Sequence, residues 1–213
     1  MSKLSRLFGL VLALLVTGCA SIKGVSNSNA YSDLPTGGTF AVRLLNGDPV
    51  IGPKIERMLR YQLEKRGYRH NDTSPDLVVA YTFDVVGAGS ASSAHTFINT
   101  APQTAFVWGS TVSFSPSYST ATTVVNTTRL YAKTIAVRIS RATTGQKLWD
   151  GVVSETGWCN QIFVTAPQIL SLMFEDFPLE RTNVQKMVTD ADPGAQEMQK
   201  LFPADTNWGC TRT

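Results

Sequence analysis

The residue types able to do covalent or acid–base chemistry are few in this chain, and most of them are badly spaced for it. His70 and His95 are the only imidazoles. Neither falls in an H-E-x-x-H pattern or beside a Cys or carboxylate at metal-ligand spacing, so no metal and no other cofactor is expected. Ser90, Ser92 and Ser93 lie just before His95, but the members of a nucleophilic triad usually converge from separate elements. No G-x-S-x-G elbow occurs. Gly87-Ala88-Gly89 opens like a phosphate loop and then lacks the third glycine and the lysine. Glu175 and Asp176 are adjacent acids. On a helix such neighbours point about 100° apart, which suits a solvated face better than joint work on one bond. The thiols remain: Cys19, Cys159 and Cys210.

Cys19 has the most informative surroundings. Lys3 and Arg6 precede an apolar run from Leu7 to Val16, and Thr17-Gly18 lead into the cysteine. The run is shorter than the roughly 20 residues a spanning helix needs. Positive charge, a short apolar stretch and small residues before a cut make an export signal. With a cysteine directly after the cut, the pattern resembles the lipobox of bacterial lipoproteins. That resemblance implies removal of residues 1–18 and lipidation of Cys19, with palmitate-type acyl chains as the only anchor. Several chains together hold firmly, at roughly 0.8 kcal/mol per buried CH₂. Ala20-Ser21 follow, without Asp, which by the same resemblance favours the outer membrane over the inner, the domain facing the periplasm. The plainer alternative is an ordinary secreted protein.

Loss of Lys3 and Arg6 lowers the formal net charge from +3 to about +1. With no basic cluster or stripe, nucleic acid is not an expected partner. In an oxidising compartment Cys159 and Cys210 form an even pair. A bridge between them would close a loop of about fifty residues, worth about 4 kcal/mol in the chain-entropy description. Two buried free thiols are the alternative.

The elements form one domain. Residues 19–38 are polar, small and aperiodic, and read as the lipidated cysteine and a flexible tether; residues 39–213 read as a single periplasmic domain. Thr39 to Leu45 is a strand. Asp48-Pro49 or Gly52-Pro53 starts a helix, on which Ile55, Met58, Leu59 and Leu63 share a face and after which Gly67 can take the left-handed position. Asp76 to Val86 is a strand with Leu77, Val79, Tyr81, Phe83 and Val85 on one side, completing a βαβ-like unit. Tyr131, Lys133, Ile135, Val137 and Ile139 alternate in a strand that turns at Thr143–Gln146 and returns as Lys147 to Thr156. Thr165-Ala166-Pro167-Gln168 has the form of a capping box, and Asp192-Pro193 starts a last helix. The fold class is α/β, more strictly α+β: one mixed or antiparallel sheet with helices packed on one face.

Three of these segments carry a further signal. "IERMLRYQLEKRGY", "SPDLVVAYTF" and "RLYAKTIAVRISRATTGQKLWDGVV" resemble a family of small bacterial lipoproteins catalogued as a domain of unknown function. The matching residues are Gly67-Tyr68, Asp76-Leu77-Val79-Tyr81 and Lys147-Leu148-Trp149-Gly151. The resemblance covers roughly residues 39–155 and implies an α/β envelope domain without assignable catalytic residues. Arg138 and Arg141 stand where the pattern has acids, and residues 158–190 depart from it as an insertion.

Val85 to Thr128 contains no Asp, Glu, Lys or Arg, yet carries Phe97, Phe106, Trp108, Phe114 and Tyr118. Charges are expensive to desolvate, so an uncharged aromatic-bearing surface suits contact with a partner or a membrane. A buried extra strand with a Ser/Thr-rich loop explains it equally well; a loop this long without structure would be unusual. The expected function is a non-catalytic outer-membrane lipoprotein that engages an unknown envelope protein or polymer through those aromatic residues. The alternatives are a hydrolase of cell-wall or surface polymer, its Ser, His and acid brought together only by the fold, and a binder of small apolar ligands.

Overall fold

The computed structural model describes residues 21–100, 105–108, 111–114 and 119–203. Its strands are β1 (Ser21–Ala30), β2 (Gly38–Asn46), β3 (Tyr68–His70), β4 (Leu77–Thr100), β5 (Ala105–Trp108), β6 (Thr111–Phe114), β7 (Ser119–Arg141), β8 (Lys147–Gly157) and β9 (Arg181–Thr189). The helices are α1 (Gly52–Glu64), α2 (Ile162–Met173) and α3 (Pro193–Leu201). Seven strands make one mixed sheet in the order β3-β2-β4-β7-β8-β1-β9, and β5 pairs with β6 separately.

The βαβ unit is present. β2 and β4 are parallel, with Phe40 opposite Leu77, and α1 joins them by way of the short strand β3. Both proline signals are used: Pro53 lies in the first turn of α1, and Asp48 makes the preceding turn by accepting from the Val50 amide at 2.7 Å. Ile55, Met58, Leu59 and Leu63 are buried as the periodicity predicts. The Tyr81 hydroxyl donates to the Gly52 carbonyl at 2.9 Å and fixes the helix start over β4.

Two elements differ from expectation. Residues 21–30 are not a tether. They form β1, inserted between β8 and β9, with Gly24 opposite both Glu155 and Lys186. Alternation explains it: Ile22, Gly24, Ser26 and Ser28 are buried, while Lys23, Asn27 and Asn29 are exposed. Only one of the four inward residues is apolar, so the stretch carries no hydrophobic signal. Its burial is allowed by size: a Cβ at Gly24 would meet Leu172 of α2 at 2.6 Å. The second difference is α2, which starts a turn before the Thr165 capping box. Thr165 instead donates back to the Ile162 carbonyl at 3.3 Å, and Pro167 lies inside the helix.

The helix-facing side of the sheet is filled by Trp149, Phe174, Ile135, Leu148 and Val153, all fully buried. Trp149 stacks on Phe174 at 6.0 Å, as a core residue. One charged pair lies within this layer. Lys133 on β7 and Glu155 on β8 face each other in register and form an ion pair, each side chain 1% exposed. Such a pair gains little over apolar residues of the same size, but losing one partner strands a buried charge. Lys133→Met alone should therefore lower unfolding free energy by about 3–5 kcal/mol. Lys133→Met with Glu155→Leu should recover most of it. Urea denaturation of the three proteins measures both.

Candidate functional site

β4 and β7 are far longer than their neighbours. β2 pairs with β4 only through Thr82, and β8 pairs with β7 only from Tyr131 onward. Beyond Gly87 the two strands continue together from Ser90 opposite Arg129 to Thr100 opposite Ser119. Beyond Arg129 this two-stranded arm falls within the uncharged stretch, whose described residues 90–100 and 119–128 form a paired ladder rather than a loop or a buried strand. It leaves the body at a bulge between Gly87 and Ser90, where Gly89 has φ of 92°, a conformation that favours glycine. Bulges bend and twist a ladder, which suits the point of departure from the sheet.

The arm's exposed apolar residues are Ile98, Val124 and Val125, at 69%, 43% and 60% exposure. Its hydroxyls pair across the ladder: Ser92 with Thr127 at 3.1 Å and Thr96 with Thr123 at 3.0 Å. Of the aromatic candidates, Phe97 lies on the arm opposite Thr122. Phe106 and Trp108 lie in β5, and Phe114 in β6, which pair antiparallel with each other. Tyr118 lies outside the described residues. Of the five, Phe97 alone lies in the arm's ladder, and Phe106, Trp108 and Phe114 belong to the separate β5–β6 pair. In the sequence the valines Val124 and Val125 carried no weight, although their neighbouring Thr-rich alternation was a usable strand signal.

No catalytic constellation gathers around His95. It is exposed on the arm opposite Val124, and the stretch around it carries no carboxylate. His70 is half-buried beside Arg60 and 3.2 Å from Asp72. Among the described residues no three His, Cys, Asp or Glu side chains group at metal-binding spacing. Glu175 and Asp176 both pair with Arg181, and Lys186 also reaches Glu175. The Lys186 hydrogen bond holds the Glu175 carboxyl below its ordinary range. These acids tie α2 to β9. Cys19 and Cys210 lie outside the described residues. Cys159 is disulfide-bonded.

A groove of about 290 Å³ lies on the sheet face opposite the helices. Ala80, Thr82, Ala136 and Val152 floor it, and Asn27, Asn29, Arg138 and Asp150 line it. Asp150 accepts from Asn29 and the Tyr31 hydroxyl, both at 3.1 Å, and lies 3.3 Å from Lys147. Partial burial alone would raise its carboxyl; those three donors outweigh it and hold the group below its usual range. The cluster fastens the end of β1 to the β7–β8 turn.

The recurring residues of the sequence pattern have packing roles. Asp76 accepts from the Thr39 amide at 2.8 Å and its hydroxyl at 2.7 Å, clamping the start of β4 to β2. A Cβ at Gly151 would collide with the Trp149 ring, so the W-x-G spacing lets the indole fold over its own strand. These features define a one-sided α+β domain with an uncharged β-arm. Residues 26–179 match the family described as Domain of unknown function (DUF4136), and the chain belongs to that family. The match runs through β8 and α2, so the segment expected as an insertion lies largely within the family domain. No curated protein matches the sequence. Among solved structures, a PDZ domain protein from Parabacteroides distasonis is 15% identical with a TM-score of 0.44, covering 88% of this chain. The chain spans 42% of that protein's length. The PelC dodecamer from Paraburkholderia phytofirmans is 11% identical with a TM-score of 0.43, covering 75% of this chain and 99% of its own.

Two measurements check these roles. Gly151→Ala should destabilise the domain by about 1–3 kcal/mol in urea, as overpacking does. The Asp76 carboxyl is held low by its Thr39 hydrogen bonds. Its contribution to stability is therefore present above the ordinary carboxylate range and lost as pH falls through the lowered folded value. Asp76→Asn should flatten that part of the stability–pH curve.

Proposed function

We propose that this chain is an outer-membrane lipoprotein, anchored through Cys19, whose periplasm-facing domain acts by contact rather than by catalysis, with the arm as its contact surface. The observation that carries the reading is the position of β1. It begins at Ser21, two residues after the cysteine. A lipid on Cys19 would hold the sheet itself at the bilayer, with no tether between. β1 is antiparallel to β8, so Ser21 lies at the Gly157 end of β8. That end pairs with Tyr131, which pairs with Gly87. The arm therefore leaves the body at the same end as the chain's N-terminal strand. An uncharged surface at that end is what a membrane-proximal contact needs, because no ion must be desolvated. The scarcity of convergent acid, base and nucleophile among the described residues supports contact over hydrolysis. The filled helix–sheet interface supports it over an enclosed ligand site.

Fractionation tests the anchor. Wild type grown with labelled palmitate should carry the label in the outer-membrane fraction, and Cys19→Ser should carry none; an unlabelled wild type would refute the anchor. Non-reducing peptide mapping should join Cys159 to Cys210. A Cys159–Cys19 bridge would refute both the bridge and the lipid.

A further inference from the structure

We infer that the arms of several copies of this chain join edge to edge into a closed β-barrel that crosses the outer membrane. The inference rests on the lipid-anchor reading above and gives the arm a specific occupant: the bilayer, and a second copy of the chain on each side.

Length is the first argument. The arm holds eleven paired positions, from Ser90–Arg129 to Thr100–Ser119. Membrane-crossing strands have about 9–11 residues. At about 3.3 Å per residue the ladder is about 36 Å long. Tilted by about 40°, as barrel strands are, it rises about 28 Å, close to the roughly 25 Å apolar band of such barrels.

Charge is the second. The last ion before the arm is Arg129, at its base, and none follows outward along either strand. Barrel strands alternate an apolar outward face with a polar inward one, and the arm has two unlike faces. Ala94, Ile98, Val125 and Ala121 fall on one, between the end pairs Ser90–Arg129 and Thr100–Ser119, and the Ser92–Thr127 and Thr96–Thr123 pairs of that face satisfy each other's hydroxyls. Ser93, His95, Asn99, Thr120, Thr122, Asn126 and Thr128 fall on the opposite face, with Ala91, Phe97 and Val124 among them in register. The first face can meet lipid; the second suits a wet lumen.

The third argument names the partner. Along the arm, neither outer edge has a neighbouring strand among the described residues. Soluble proteins guard such edges with charge or proline, and Ser90 to Thr100 and Ser119 to Thr128 contain neither. In lipid an open edge is not tolerated, and only closure removes it. Each copy offers one β4 edge and one β7 edge, running in opposite directions. The β7 edge of one copy can pair antiparallel with the β4 edge of the next. This is a head-to-tail contact that closes into a ring and gives an even number of strands.

The test uses the full chain in native outer membranes. An environment-sensitive maleimide dye is placed singly at Ala94→Cys, Thr96→Cys, Ile98→Cys, Ser93→Cys and His95→Cys. The expected result is a period of two: Ala94, Thr96 and Ile98 positions shielded from an aqueous quencher, Ser93 and His95 positions quenched. Amine crosslinking should give a ladder of copies, lost when Ser92 to Thr127 is replaced by an Asn-Gly turn that leaves the body and Cys19 in place. Uniform quenching in a membrane-bound protein overturns the barrel and leaves the anchor standing. A ladder without the period of two also overturns it, as a soluble assembly of arms. Wild type and Cys19→Ser both soluble would overturn the anchor, and the barrel with it.

Discussion

The register between β4 and β7 is the constraint on which the remaining structure depends. It runs from Leu77–Arg141 at one end to Thr100–Ser119 at the other, with one bulge. In its first half it holds the core face: Leu77, Val79, Tyr81 and Phe83 of β4 beside Ile135, Val137 and Ile139 of β7 point together toward the helices. In its second half the same hydrogen-bonded geometry continues without a core beneath it. A slip of one residue would turn every side chain over, so the buried half also fixes which face each arm residue occupies. Packing in the body thus sets the chemistry of a surface far from it.

The molecule is polarised along the strands. One end is dressed with ionic and hydrogen-bonded clasps: Asp76 on Thr39, Asp150 among Asn29, Tyr31 and Lys147. Toward the other end the Lys133–Glu155 pair is buried within the sheet, and past Arg129 charge is absent from the ladder. The sheet is also polarised across its thickness, with all the large buried aromatics under the helices and Ala, Thr and Val on the open side.

Much of this was legible in the sequence, for identifiable reasons. α1 and the β7–β8 hairpin carry clear periods with the correct stop signals, and their apolar residues are those found buried. The arm was visible only as an absence of charge, since Ser, Thr and Ala tell little about strand against loop; its pairing is imposed by continuity with the buried half of β4 and β7. β1 was read as a tether because its inward side is Gly and Ser, sized to fit beneath α2 rather than to supply apolar area. The roles of Asp76 and Gly151 could be noticed as recurring types but explained only by what lies across from them, Thr39 and the Trp149 indole.

The placement of β1 has a consequence for the order in which the fold can be completed. Ser21 lies beside Thr189, and Ala30 beside Trp149, so more than half of the chain separates the strand from each neighbour. Contacts of such sequence separation are costly to close and slow to form. The first strand of the domain to be synthesised is among the last to be seated. Until β1 is seated beside β8, the sheet ends at β8, and β9 has no strand to pair with.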